Sequence, residues 1–519
     1  MGGMLLLATV VLPLLGALAA TFGSARGSIA LGSLSLLGAV ALVVAVGLDG
    51  PVSATLGSPT VAGLFANSLV AVLLLLVCGV SVVVQAFARR YLRGHAEARR
   101  FFVATGLLTA ATAAMVTAGT LIGLAVAWTA AGVSLCLLLG LFGHLPAARE
   151  GVRRTVWRFA IGDAALWTAV GIATVAWGNV DLRLLAAGDA ELVAPSAALT
   201  AVACLLVVAA AGRSTLVPLQ GWLPVTLAAP TPVSALLHAG VVNAGGILLI
   251  RLSPVFGASE IATYLAFTLG AATLVYGTSL MVTKTDVKGS LVYSTVGQMG
   301  FMVMTCGLGA YALAAFHLVA HGMYKATLFL GSGGAVQRHV SHGAAPPRLV
   351  RHGIGDTVIA IVAPAVGLIG AAALVHSHEG TGALLVFAGA TGFWVTRSLL
   401  ARQPGVLGRA TAAVLVVVAT AGYVGLLAAF SGFAAPSLTA AGDARVSIWL
   451  LVPVLVVLVG LDWLRSATPR GRVGELHRSA YVLAMTAADP GARLRTSRVN
   501  GTVARLSGRF EPRPEGSAP

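Results

Sequence analysis

The 519-residue chain is 58% hydrophobic and only 10% charged, where a soluble protein carries about 25% charged residues, and its mean hydropathy is +0.93. That composition excludes a water-soluble globular protein and points to a polytopic membrane protein, because many apolar runs reach the roughly 20 residues that cross a bilayer. The formal net charge of +16 invites a nucleic-acid partner, but the basic residues gather in alternate loops, as the positive-inside rule requires; membrane lipids are the expected surroundings and no nucleic acid is expected.

Fifteen spans are expected, near residues 4–22, 28–47, 65–88, 101–118, 121–142, 157–177, 196–213, 233–252, 261–282, 289–309, 312–331, 357–375, 381–398, 410–430 and 447–464. The first lacks a basic n-region and a cleavage site and reads as a span, not a removed signal peptide. Positive charge follows the odd-numbered spans: Arg89, Arg90, Arg93, Arg99 and Arg100, then Arg149, Arg153 and Arg154, then Lys284 and Lys288, then Arg338, Arg348 and Arg351. Asp49, then Asp181, Asp189 and Glu191, then Glu379 follow even-numbered ones. The alternation predicts a multi-pass protein of the cell (inner) membrane with its N-terminus outside and its C-terminus in the cytoplasm. Four regions follow: N-terminal membrane helices over 1–100, a translocating core over 101–335, C-terminal membrane helices over 336–464, and a basic cytoplasmic tail over 465–519. In the tail, Glu475–Ala487 is a candidate surface helix. The four cysteines, Cys78, Cys136, Cys204 and Cys306, lie in apolar runs without CxxC spacing and read as small core residues. No metal or cofactor site is expected.

In span 6, Asp163 is a lone carboxylate placed near a membrane end. It could pair with Arg213 or Arg158, or be a plain interfacial residue. From Arg213 to Arg251 the chain reads RSTLVPLQGWLPVTLAAPTPVSALLHAGVVNAGGILLIR. Pro218, Pro224, Pro230 and Pro232 each remove a backbone donor, so one regular helix cannot run through them. Irregular backbone is not tolerated against lipid, so this bend must lie against protein or line a wet cavity. Arg213 stands at its near edge and His238 one or two turns into the next helix. A broken membrane helix flanked by ionisable groups is the pattern of an ion or substrate pathway; His238 alone reads equally as a satisfied packing residue. Asp286, between Lys284 and Lys288, reads as a structural charge cluster at a helix start. In span 11, His317, His321 and Lys325 recur at i, i+4 intervals and share one helix face. The chain has only three lysines, Lys284, Lys288 and Lys325, and Lys325 is the one inside a span. A lysine can gain and lose a proton as its surroundings change, while arginine stays charged. The face is either a proton relay or a set of hydrogen-bonding groups facing neighbouring helices. The glycines of the GSGG run at Gly331–Gly334 read as a helix terminator.

PLQGWLPVTLAAPTPVSALLHAG, TDVKGSLVYSTVGQMGFM and FHLVAHGMYKATLFLGSG, in that order, resemble the antiporter-like proton-channel subunits of respiratory complex I. Subunit L (chain 5) is the nearest, and the Mrp-type cation/proton antiporter subunits are its relatives. RYLRGHAEARRFF upstream fits the same family, and the resemblance covers roughly residues 65–335. LLHAGVVNAGGILLIR and LVAHGMYKA look most like the DabB branch, membrane subunits of inorganic-carbon accumulating complexes. The resemblance implies an all-α inverted-repeat bundle with a broken helix. It also implies a zinc-containing DabA partner related to β-carbonic anhydrases, and an ion gradient that drives one-way hydration of CO₂ to bicarbonate. Subunit L continues into a long lateral helix, whereas this chain continues into a polar tail. The family's central lysine and flanking histidines fall on Lys325, His317 and His321, and its broken-helix histidine on His238. Its lysine before the broken helix falls on Arg213. Its glutamate, expected after a tryptophan in span 5, falls on Thr129, so the first half-channel lacks the usual carboxylate–lysine pair. Span 12 offers Pro364 as a break but no lysine. Three functions follow: ion translocation, with a proton as the ion, energising carbon uptake; a proton-pumping subunit of an NADH:quinone oxidoreductase or a related hydrogenase or antiporter complex, with other membrane subunits as partners; and a membrane anchor that does not conduct.

Overall fold

In hydrocarbon every backbone donor and acceptor must be satisfied within its own segment, so apolar runs of this length fold as helices. The computed structural model describes residues 2–55, 63–188, 197–284, 286–332, 354–372, 381–401, 405–438 and 446–466. Asp189, Glu191, Gly333, Gly334, Arg338, Arg348, Arg351, Glu379 and the tail from residue 467, with Glu475–Ala487, lie outside the described residues.

The chain begins with α1 (Gly2–Thr21) and α2 (Ala25–Asp49), followed by an antiparallel hairpin of β1 (Val52–Thr55) and β2 (Gly63–Ala66) in which Val52 faces Ala66. Then come α3 (Ser68–Tyr91), α4 (Ala98–Thr117), α5 (Leu121–Leu139), α6 (Pro146–Trp177), the short α7 (Leu182–Ala187) and α8 (Ala197–Arg213). Beyond α8 a 3-10 segment, Gln220–Ala228, leads to α9 (Thr231–Ala239), a second 3-10 turn, Val241–Asn243, and α10 (Ala244–Arg251). The remainder is α11 (Ser253–Phe256), α12 (Glu260–Thr283), α13 (Val287–Gly307), α14 (Tyr311–Gly331), α15 (Ile354–Ala372), α16 (Thr381–Leu400), α17 (Val406–Ala434) and α18 (Leu451–Ser466).

Among the described residues each of the fifteen expected spans overlaps helix over most of its length. Among the described residues nine helices are long and apolar enough to cross a membrane, counting Thr231–Arg251 as one, and four more are shorter apolar helices. α13 and α14, of 21 residues each, belong to neither group and carry polar residues of the candidate site. Several helix starts are capped by side chains: Asn67 accepts from Val70 N at 3.0 Å, Thr120 from Gly123 N at 3.1 Å, and Asp286 from Gly289 N at 2.6 Å. These are the orphan donors of a first turn, and Asp286 has the structural role expected of it. Arg251 donates to the Met115 and Ala118 carbonyls at 3.0 and 2.7 Å, where α4 ends.

The structure corrects three expectations. α6 starts at Pro146, not near 157, because Glu150 pairs with Arg153 and Arg154 within its first turns at 2.8 and 2.6 Å; the arginines lie on helix, and Asp163 sits mid-helix, away from either end. The expected span 233–252 is interrupted at Gly240–Asn243. α15 runs unbroken past Pro364. A feature on which the sequence was not read is the pair of strands between α2 and α3, where Gly119 N donates to the Gly63 carbonyl at 2.7 Å.

The prolines act as their geometry dictates. No α-helix occurs between Arg213 and Thr231, where Pro218 and Pro224 lie. Pro230 is the N-cap of α9 and Pro232 sits in its first turn, where a missing N–H breaks no bond.

Candidate functional site

The broken segment places two groups of ionisable side chains. The first surrounds Arg213, the last residue of α8, which is 1% exposed. Its Nη2 donates to Asp163 Oδ1 at 2.8 Å, and Trp128 Nε1 of α5 donates to the same oxygen at 2.7 Å. The guanidinium lies between two rings, 4.5 Å from the Trp128 centroid and 4.2 Å from that of Phe159. Its Nε and Nη1 have no hydrogen-bond partner. Cation–π contact and the carboxylate together are what a membrane-buried arginine requires. Gly132 makes the room: a Cβ there would sit 2.8 Å from Nη2. Asp163 thus pairs with Arg213 and not with Arg158. Thr129 carries no charge, as read, and accepts from Trp167 Nε1 at 3.1 Å. In place of the family's carboxylate–lysine pair, this half holds a carboxylate–arginine pair, with the carboxylate from α6, which is one of the pairings open to Asp163 in the sequence.

The second group lies around α14. Lys325 is buried, with 0% exposure, and its Nζ donates to Ser294 Oγ and, at 3.2 Å, to the Leu291 carbonyl, both on α13. His238, 1% exposed, stacks on Phe329 with centroids 4.2 Å apart and planes at 9°. Its Nδ1 lies 3.2 Å from Thr295 Oγ1. His317 and His321 lie parallel along α14, 5.9 Å between ring centroids, and His317 packs on Phe301 at 4.7 Å. Neither ring nitrogen of the buried His321, nor Nε2 of His317, has a protein partner. Buried polar atoms of this kind belong with water or a passing ion. The structure therefore gathers His238, His317, His321 and Lys325 on α9 and α14 and joins Asp163 to Arg213 on α6 and α8.

Sequence reasoning missed Ser294 and Thr295, which meet Lys325 and His238, and Trp128 and Phe159, which enclose Arg213. It also missed Ser214, whose Oγ donates to the Val242 carbonyl at 2.6 Å and accepts from Gly245 N at 3.1 Å. The residue after Arg213 is thereby stitched to the second interruption of the helix. The signal available was the Arg-Ser pair immediately before a proline-rich break.

Residues 118–345 match the family model described as NADH:quinone oxidoreductase/Mrp antiporter, TM. The chain is 39% identical over 350 residues to the "Probable inorganic carbon transporter subunit DabB1" of Halothiobacillus neapolitanus (strain ATCC 23641 / c2), covering 65% of this chain and 62% of that one. It is 32% identical over 362 residues to NADH-quinone oxidoreductase subunit L of Mycobacterium tuberculosis (strain CDC 1551 / Oshkosh), covering 65% and 57%. The chain thus spans less than two thirds of the length of these curated relatives. Its fold resembles the Mrp complex from Dietzia sp. DQ12-45-1b with a TM-score of 0.60 at 22% identity, over 99% of this chain and 64% of that one. Over residues 118–345 this all-α polytopic chain is therefore similar to the NADH:quinone oxidoreductase/Mrp antiporter family.

Proposed function

We propose that the chain is an ion-translocating membrane subunit, with a proton as the ion, and that it energises inorganic-carbon accumulation together with a DabA-like, zinc-containing partner. The observation that carries the translocation reading is Lys325. It is fully buried, bonded to Ser294 and Leu291 of α13, and set on the same helix as two histidines with unpartnered ring nitrogens. Thirty of the thirty-three basic residues are arginine, yet a lysine stands here, the cation that can release its proton when hydration changes. The name of the DabB1 relative supports carbon as the cargo. The subunit L relative supports a second reading, a proton-pumping component of an NADH:quinone oxidoreductase.

The test is Lys325→Arg, which keeps the charge but stays protonated. Growth or carbon uptake at ambient CO₂ by a rescue strain is expected to be abolished, with membrane level and partner binding unchanged. Wild-type rescue by the arginine variant would reduce Lys325 to a fixed charge and leave the non-conducting anchor in its place.

A further inference from the structure

His238 and Lys325 belong to separate helices, α9 and α14, and two adjacent hydroxyls of α13 link them. Thr295 Oγ1 lies 3.2 Å from His238 Nδ1 and donates to the Leu291 carbonyl at 3.0 Å. Lys325 Nζ donates to that same carbonyl at 3.2 Å and to the Ser294 hydroxyl. A threonine hydroxyl has one proton to give. With that proton on Leu291, the Thr295 oxygen can serve His238 only as an acceptor, so Nδ1 must carry the ring hydrogen. Nε2 is then the lone pair left to take a proton. Neither partner is free to turn away. The imidazole is stacked flat on Phe329, and a helical threonine bonded to its i−4 carbonyl is held at χ1.

We propose that Thr295 is a positioning residue of the ion pathway: its hydroxyl holds His238 in the Nδ1–H form, so that this histidine exchanges protons at Nε2, and the Leu291 carbonyl it uses is the one shared with Lys325. The inference rests on the ion-translocating reading for its purpose, but not for its test. It also gives the Ser294-Thr295 pair of α13 a function, since consecutive hydroxyls meet Lys325 and His238 in turn.

The ring form can be read directly. The full chain, labelled with ¹⁵N-histidine and reconstituted in bilayers, is measured by solid-state NMR, and the His238 signals are identified as those lost in His238→Gln. The expected result is a protonated Nδ1 and a bare Nε2 in the wild type and in Thr295→Ser, and loss of that preference in Thr295→Val. A wild-type ring carrying its hydrogen on Nε2, or an unchanged ring in Thr295→Val, would overturn the proposal. Proton flux into vesicles is measured in parallel. Thr295→Val is expected to lower it about tenfold, the scale of one lost hydrogen bond, and Thr295→Ser to restore most of it. Lys325→Gln separates the two ideas. If it leaves flux intact, the pathway reading fails and the NMR result still judges Thr295. If it abolishes flux while Thr295→Val retains it, the role given to Thr295 fails.

Discussion

Arg213 is tolerated in the membrane interior because its charge is met on three sides: Asp163 at one edge and the rings of Trp128 and Phe159 on both faces. Losing one member of such a pair strands the other, at a cost of about 3–5 kcal/mol, whereas removing both together is often neutral. Arg213→Met should therefore melt markedly earlier than wild type in detergent, and Arg213→Met with Asp163→Asn should regain most of the loss. Failure to regain it would show that the two residues do not act as one unit. If the proposed pathway uses Arg213 as a charge fixed beside Asp163, Arg213→Lys should retain a good part of translocation; full activity in Arg213→Ala would assign the residue to packing. The ionisable members of both groups were legible in the sequence, because a charge or a histidine inside an apolar run is expensive and stands out. Ser294 and Thr295 were not. A serine or threonine in a membrane helix commonly bonds its own i−4 carbonyl, and one sequence does not tell which of them also faces a neighbour. Trp128 and Phe159 read as ordinary apolar bulk until Arg213 is placed between them.

The elements show the same division. Four prolines announced the first interruption, since each forbids a backbone bond wherever the chain goes. The second, at Gly240–Asn243, contains no proline and is held by contacts: Asn243 Nδ2 donates to the Ala239 carbonyl at 2.8 Å, and Ser214 bonds Val242 and Gly245 from the end of α8. Such a break is a property of the neighbour as much as of the segment. The start of α6 was misjudged for another reason. Hydropathy sees only the apolar part of a helix, and the Glu150 pairs extend it into polar sequence. The contact between α12 and α13 was invisible altogether. A Cβ on Gly277 would lie 2.2 Å from Gly297 N, a backbone atom that cannot give way. Small residues let membrane helices approach in this manner, but the facing glycine is known only once the pair is formed. Gly277→Ala must push α12 off α13, and with it the helix that carries Ser294 and Thr295. The expected loss is about 1–3 kcal/mol, read as a lower melting temperature of the purified chain. An unchanged melting temperature would mean that the seam opens without strain.

At the scale of the whole molecule, contacts between segments far apart in the chain sort the helix ends into two sets. Lys288 Nζ reaches the Ala229 carbonyl at 3.5 Å, so the start of α13 and the end of the proline-rich bend share one end of the bundle. Arg251 reaches the end of α4, and Thr120 bridges Asp181, so these share the opposite end with the β-hairpin. Arg89, Arg90, Arg99 and Arg100 lie at the ends of α3 and α4 away from that hairpin. The bundle buries ionisable groups but, among the described residues, holds no cluster of three or more His, Cys, Asp or Glu side chains that could hold a metal. The carbon-uptake reading proposed above carries with it a separate, DabA-like partner as the bearer of the zinc chemistry. Affinity purification from native membranes should therefore recover one large additional subunit, and zinc measured across a sizing column should follow that subunit and be lost when it is stripped away. Recovery of flavin and iron–sulfur subunits instead would replace this assignment with the oxidoreductase reading. Recovery of the chain alone, with Lys325→Arg still blocking ion flux, would keep the pathway and discard the carbon-uptake partner.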